Sequence, residues 1–128
     1  MKSNQMIKAY WPALLWLLFI TGLSVMPGVQ LPSFQLFSSD KLAHAVVYGV
    51  LTWLLLRAYY RSHQAFSGNV PAFVICCISI SYGILMEFVQ YQFIPGRFYE
   101  VDDMLANAFG CVVGWAVFRI TLKFKTIS

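Results

Sequence analysis

Four runs of apolar residues divide the chain: Ala9 to Met26, Lys41 to Tyr60, Pro71 to Tyr91 and Val101 to Leu122. At about 1.5 Å of rise per helical residue, each can cross most of a hydrocarbon core about 30 Å thick. The first run carries no charge and stops at Pro27-Gly28. It exceeds a typical signal-peptide apolar region, and its end, Thr21-Gly22-Leu23-Ser24-Val25-Met26, lacks an A-x-A cleavage pattern, so it is expected to stay in the mature protein. The stretches between the runs, Pro27 to Ser39, Arg61 to Val70 and Gln92 to Glu100, are short and contain Pro or Gly, as inter-helix connections do. The pattern predicts an all-α fold: one integral membrane domain over residues 1–128, a bundle of four transmembrane helices.

The polar interruptions are not scattered. Asp40, Lys41, His44 and Tyr48 sit at one end of the second run, Glu87 and Gln90 at one end of the third, and Asp103 and Asn107 at one end of the fourth. If the runs alternate in direction across the membrane, those ends fall on one side. Asp40, His44 and Tyr48 are spaced i, i+4, i+8, Glu87 and Gln90 i, i+3, and Asp103, Asn107 and Gly110 i, i+4, i+7, so each set occupies one helical face. Small residues also recur four apart: Ala45 and Gly49, Ser79 and Gly83, and Ala106, Gly110 and Gly114. That spacing lets transmembrane backbones approach closely, and on the third and fourth helices it shares or adjoins the polar stripes, which directs the polar groups into the bundle. A central Asp, Lys or Arg costs about 2.5–3.5 kcal/mol on membrane-insertion scales. An interhelical hydrogen bond contributes only about 0.6 kcal/mol on average. Structural bonding alone is a weak reason for such groups, so the cluster reads as a binding or reactive site.

Composition agrees with the membrane assignment and charge adds an orientation. The 128 residues are 59% hydrophobic, 17% aromatic and 11% charged, against about 25% charged in a typical soluble domain. The net charge of +4 does not form a nucleic-acid footprint, because the positive residues flank apolar runs. Lys2, Lys8, Arg57, Arg61, Arg119, Lys123 and Lys125 share one side and make seven of the nine Lys and Arg residues. The positive-inside rule puts both termini in the cytoplasm and the polar layer at the outer leaflet. Cys76, Cys77 and Cys111 lie inside apolar runs without CxxC spacing and read as small membrane-core residues. The many Trp and Tyr residues read as interface and packing groups, and His63 as a solvated loop residue.

Together, Asp40-Lys41-x-x-His44-x-x-x-Tyr48, Glu87-x-x-Gln90, Pro95-Gly96-Arg97 and Asp103-x-x-x-Asn107-x-x-Gly110 resemble the motif series of the VanZ-like family of small bacterial membrane proteins. The resemblance runs from about Asp40 to Val117 and rests on the order and spacing of the motifs. It implies a multi-pass protein of the bacterial cytoplasmic membrane. The family's namesake is associated with low-level resistance to the glycopeptide teicoplanin. Asp103 takes the family aspartate by its distance to Asn107 and Gly110, and Asp102 is read as an accessory charge.

Candidate roles follow from side-chain chemistry. Imidazole titrates near neutrality and a carboxylate beside it can take or give a proton, so His44, Glu87 and Asp103 are the candidate catalytic groups. Asp40, Lys41, Tyr48, Gln90, Arg97 and Asn107 are the candidate substrate-binding groups. Arg97 suits a planar fork onto phosphate or carboxylate at headgroup level, and Lys41 either does the same or snorkels to the interface. No cofactor is expected; metal assistance by His44, Glu87 and Asp103 is conceivable but has no ligand-spacing signature. The expected partners are membrane lipids and an anionic lipid-linked or glycopeptide ligand, with no nucleic acid and no oligomeric state specified. An enzyme and a non-enzymatic lipid-binding or structural module both remain open. A small proton-coupled exporter is disfavoured, because the polar residues collect at the outer ends and leave no midplane carboxylate.

Overall fold

A computed structural model describes residues 3–26, 39–63, 68–96 and 101–127. Among these, four α-helices account for nearly all the chain: α1 (Ser3–Val25), α2 (Ser39–His63), α3 (Val70–Phe93) and α4 (Val101–Ile127). All four are long and apolar enough to cross a membrane. They run past the apolar stretches that announced them, because the edge of the hydrocarbon does not end a backbone hydrogen-bond ladder. The additions at the start of α1 and the end of α4 carry Lys8, Lys123 and Lys125, good helix formers. His63 belongs to the last turn of α2 rather than a loop, with its ring stacked 4.1 Å from Tyr59.

Local chemistry sets several ends. Asn69 caps α3, with Pro71 in its first turn where no intrahelical N–H is needed. Ile94 leaves the helix in an extended conformation, Pro95 follows, and Gly96 takes a φ of +81°, a left-handed value that glycine adopts freely. α4 opens with Asp102 and Asp103, carboxylates that complement the positive end of its dipole.

Side-chain contacts fix the direction of each helix. Lys41 near the start of α2 meets Asp102 near the start of α4, and Gln90 near the end of α3 bonds Ser24 near the end of α1. At the opposite end, Arg119 Nη1 of α4 donates to Asn69 Oδ1, just before α3, at 2.6 Å. The bundle is therefore up-down-up-down, and the starts of α1 and α3 lie at the same end as the end of α4.

The burial pattern is that of a protein in lipid. Leu18, Leu42, Phe93 and Phe109 are exposed, whereas Thr52, Ser79, Glu87, Gln90, Asp103 and Asn107 are buried. In hydrocarbon the exterior is the apolar solvent and the polar groups must find each other inside. Below the polar layer, Ile20, Tyr48, Leu51, Cys76 and Cys111 pack together, and toward the opposite end Leu56, Ala72 and Phe118 do so. The most extensive helix contact joins α2 to α4. There Gly110 lies against the backbone of Ala45, and Gly114 against that of Gly49, so close that no side chain fits between. Of the small residues four apart, Ala45, Gly49, Gly110 and Gly114 thus form the seam, a close backbone approach of the kind their spacing predicts. Cys76, Cys77 and Cys111 are free thiols, the first and last buried.

Candidate functional site

The polar layer is assembled from three helices. His44 is the sixth residue of α2, Asp103 the third of α4, and Asn107 follows one turn later on the same face. Glu87 lies six residues before the end of α3, or about 9 Å along the axis. Their tips converge: one donor atom from each of His44, Glu87 and Asp103 lies within 4.8 Å of the others. Glu87 is 3% exposed and Asp103 and Asn107 each 2%, so water does not disperse their charges and dipoles.

Both ring nitrogens of His44 face polar side chains. Nδ1 lies 3.0 Å from Asn107 Oδ1, and Nε2 lies 3.6 Å from Asp103 Oδ2. Asn107 Nδ2 abuts Gly83, where a Cβ would stand 2.9 Å from it, and has no hydrogen-bond partner among the described residues. Tyr48, one helical turn beyond His44, is buried beside Gly83 and Tyr82. Glycine at position 83 is thus what lets Asn107 and Tyr48 reach the interior between α2, α3 and α4.

The remaining candidates divide. Lys41 Nζ donates to Asp102 Oδ2 at 2.8 Å on the rim, with 39% and 71% of the two side chains exposed; Asp102 is therefore the partner of Lys41, and Asp103 the aspartate that enters the cluster. Gln90 is buried, but its Nε2 donates to the Ser24 carbonyl at 3.2 Å, tying α3 to α1. Asp40 lies in the first turn of α2, while its side chain and all of Arg97 lie outside the described residues. The spacing argument missed the share taken by α1. Thr21 hydrogen-bonds Tyr82 and the Leu17 carbonyl, and Trp16 Nε1 donates to the Val47 carbonyl at 2.9 Å. Thr21 and Ser24 stand three apart in an otherwise apolar run, and that spacing was the available signal.

On the other face of the α2–α4 seam runs an apolar groove of about 440 Å³, floored by Gly49, Gly110 and Gly114 and walled by Val46, Trp53 and Phe109. It shares Leu42, Ala45 and Phe109 with a second hollow that reaches Lys41 and Asp102. Neither hollow is lined by His44, Glu87, Asp103 or Asn107.

Fold and site define a four-helix multi-pass membrane protein with a buried imidazole–carboxylate–amide cluster near one end of the bundle. The family model described as VanZ/LLP1 matches residues 3–122, and the chain belongs to that family. Comparison with curated proteins and with solved structures gave no match.

Proposed function

We propose that the cluster is an outward-facing site that acts on, or binds, an anionic cell-envelope lipid or a lipid-linked or glycopeptide molecule at the outer leaflet of the bacterial cytoplasmic membrane. The observation that carries this is the convergence of His44, Glu87 and Asp103 from three helices with the carboxylates almost wholly buried. Groups so placed are costly in a bilayer and are functional by default. His44 and Glu87 are the proton-transfer pair, Asp103 and Asn107 orient the imidazole, and Lys41 and Arg97 hold negative charge at headgroup depth. An amphiphilic substrate suits this location, because its polar head lies at helix-end depth while its chains stay in lipid. The family's link to teicoplanin resistance supports an envelope component as the target and makes glycopeptide susceptibility a phenotype to measure.

A second reading, binding without chemistry, draws on the groove over Gly49, Gly110 and Gly114, whose almost purely apolar lining suits an acyl chain. One substitution separates the two. Glu87→Gln preserves size and hydrogen-bonding capacity and removes the base. A general acid or base contributes about 10²–10⁴-fold, so at matched membrane abundance the variant is expected to lose at least a hundredfold of its activity. The readouts are mass spectrometry of envelope lipids and cell-wall precursors from cells with and without the protein, alongside teicoplanin susceptibility. Full retention by Glu87→Gln ends the acid–base reading and leaves the passive one.

A further inference from the structure

We infer that His44, Glu87 and Asp103 form a three-ligand site for a divalent transition-metal cation, Zn²⁺ or Mn²⁺, with Asn107 as the group that orients the imidazole; the inference rests on the cluster being a site. The reasoning starts at Asn107. Its Oδ1 can only accept, and it lies 3.0 Å from His44 Nδ1, so Nδ1 is the donor of that bond and Nε2 is the ring nitrogen turned toward Asp103. Nε2 lies 3.6 Å from Asp103 Oδ2. A Glu87 oxygen completes a triangle of donor atoms no wider than 4.8 Å. These donor atoms come from three helices and meet in an interior where Glu87 is 3% and Asp103 2% exposed.

The ligand set is chemically suited to that species. Imidazole favours zinc and other transition metals and carboxylates favour manganese and magnesium, so one nitrogen and two oxygens select Zn²⁺ or Mn²⁺ over Ca²⁺. Three protein ligands leave a position open for water or substrate, as in catalytic sites rather than closed structural ones. Metal-bound histidines almost always donate their other ring N–H to an acceptor that fixes the ring, and Asn107 fills that role from a position 2% exposed. Two ligands about 2.0–2.2 Å from one ion lie at most about 4.4 Å apart, so a pair at the 4.8 Å limit would have to draw in by about 0.4 Å or more. Rotation about the long Glu87 side chain can supply that. The sequence brings His44, Glu87 and Asp103 forward as one candidate group but carries no motif for an ion, because the ligands come from three helices with no HxxxH or CxxC spacing.

The test uses the full chain purified in detergent, stripped with chelator and titrated with ZnCl₂ or MnCl₂ by calorimetry, with Co²⁺ visible absorption as an independent report of nitrogen and oxygen ligation. One equivalent should bind. His44→Ala, Glu87→Gln and Asp103→Asn should each abolish stoichiometric binding, and Asn107→Ala should weaken it about 10–100-fold, with partial rescue by Asn107→Asp, which keeps an acceptor. Monodispersity on size exclusion separates lost binding from lost folding, and any ligand variant that fails it is replaced by Asp103→Glu, which keeps the donor type and should shift the Co²⁺ spectrum. No stoichiometric binding of either metal, or binding indifferent to His44→Ala, overturns the proposal. In the first case the Asn107 amide is turned over and a proton on Nε2 bridges to Asp103. If metal does not bind yet Glu87→Gln abolishes activity, the acid–base site stands and the metal falls. If metal binds and Glu87→Gln leaves activity intact, the reactive-site reading falls and the ion is structural.

Discussion

A methyl group at Gly110 is the most informative perturbation of the scaffold. A Cβ built there would meet the Ala45 carbonyl carbon and Cα at 2.7 Å, with the carbonyl oxygen closer still. Ordinary carbon–carbon contact is about 3.5–4.0 Å, so Gly110→Ala must open the α2–α4 seam by about 1 Å. Both surfaces are backbone, and no rotamer change relieves the overlap. Overpacking of this kind costs about 1–3 kcal/mol, and the absence of a flexible partner puts Gly110 at the upper end. At Gly49 the nearest atom is the Gly110 carbonyl oxygen at 2.9 Å, which needs a shift of only a few tenths of an ångström, and nothing lies within 4 Å of a Cβ on Gly22. Gly22→Ala should be neutral or slightly stabilising, since alanine is favoured over glycine in a helix by up to about 1 kcal/mol. Thermal unfolding in detergent, followed by the loss of monodisperse protein, should therefore rank the variants Gly22→Ala first, Gly49→Ala next and Gly110→Ala last. The same opening pulls Asn107 from His44, so activity should fall with stability at Gly110. Equal stability of Gly110→Ala and Gly22→Ala would refute a seam held by direct backbone contact.

Two further outcomes follow from topology and from the rim. If both termini are cytoplasmic, as the positive-inside rule predicts, cysteines placed at Ser33 and Ser67 in a background lacking the native thiols should differ in intact cells: a membrane-impermeant reagent should label position 33 and not 67, and the reverse pattern inverts the orientation. Lys41→Ala removes an exposed ion pair, which contributes about 0–1 kcal/mol, so abundance and melting should change little; a loss of activity at unchanged abundance identifies Lys41 as a ligand contact, while unchanged activity assigns it to the rim alone.

The four helices were legible because hydrophobic runs bounded by Pro and Gly carry a strong membrane signal. The direction of the polar stripes was legible as well. Positions 103, 107 and 110 share a face that turns inward, since Asp and Asn avoid lipid, and the four-residue spacing marked Gly49, Gly110 and Gly114 as points of close backbone approach without saying which helices would meet there. What spacing could not supply was partnership. Asp102 and Asp103 are neighbours in sequence, yet the 100° turn between them sends one to Lys41 on the rim and the other to His44 inside. Gln90 has the same helical credentials as Glu87, but which of them meets the histidine depends on where α1 docks, and no pattern within α3 encodes that. The part taken by α1 was faint for a similar reason. It engages its neighbours partly through backbone carbonyls, at Val47 and at its own Ser24, and every residue has a carbonyl.

The division of the cluster among α2, α3 and α4 also governs how the protein can be made. Helices leave the ribosome in order, so His44 enters the membrane first, Glu87 second, and Asp103 and Asn107 last. During that interval α3 carries a carboxylate into lipid with a single cluster partner, the histidine of α2. Its insertion is thus a shared event: α2 must be in place to shelter Glu87, and α4 completes the arrangement afterwards. A site distributed in this way doubles as a checkpoint on assembly, because a chain truncated before α4 holds Glu87 in the bilayer without Asp103 or Asn107.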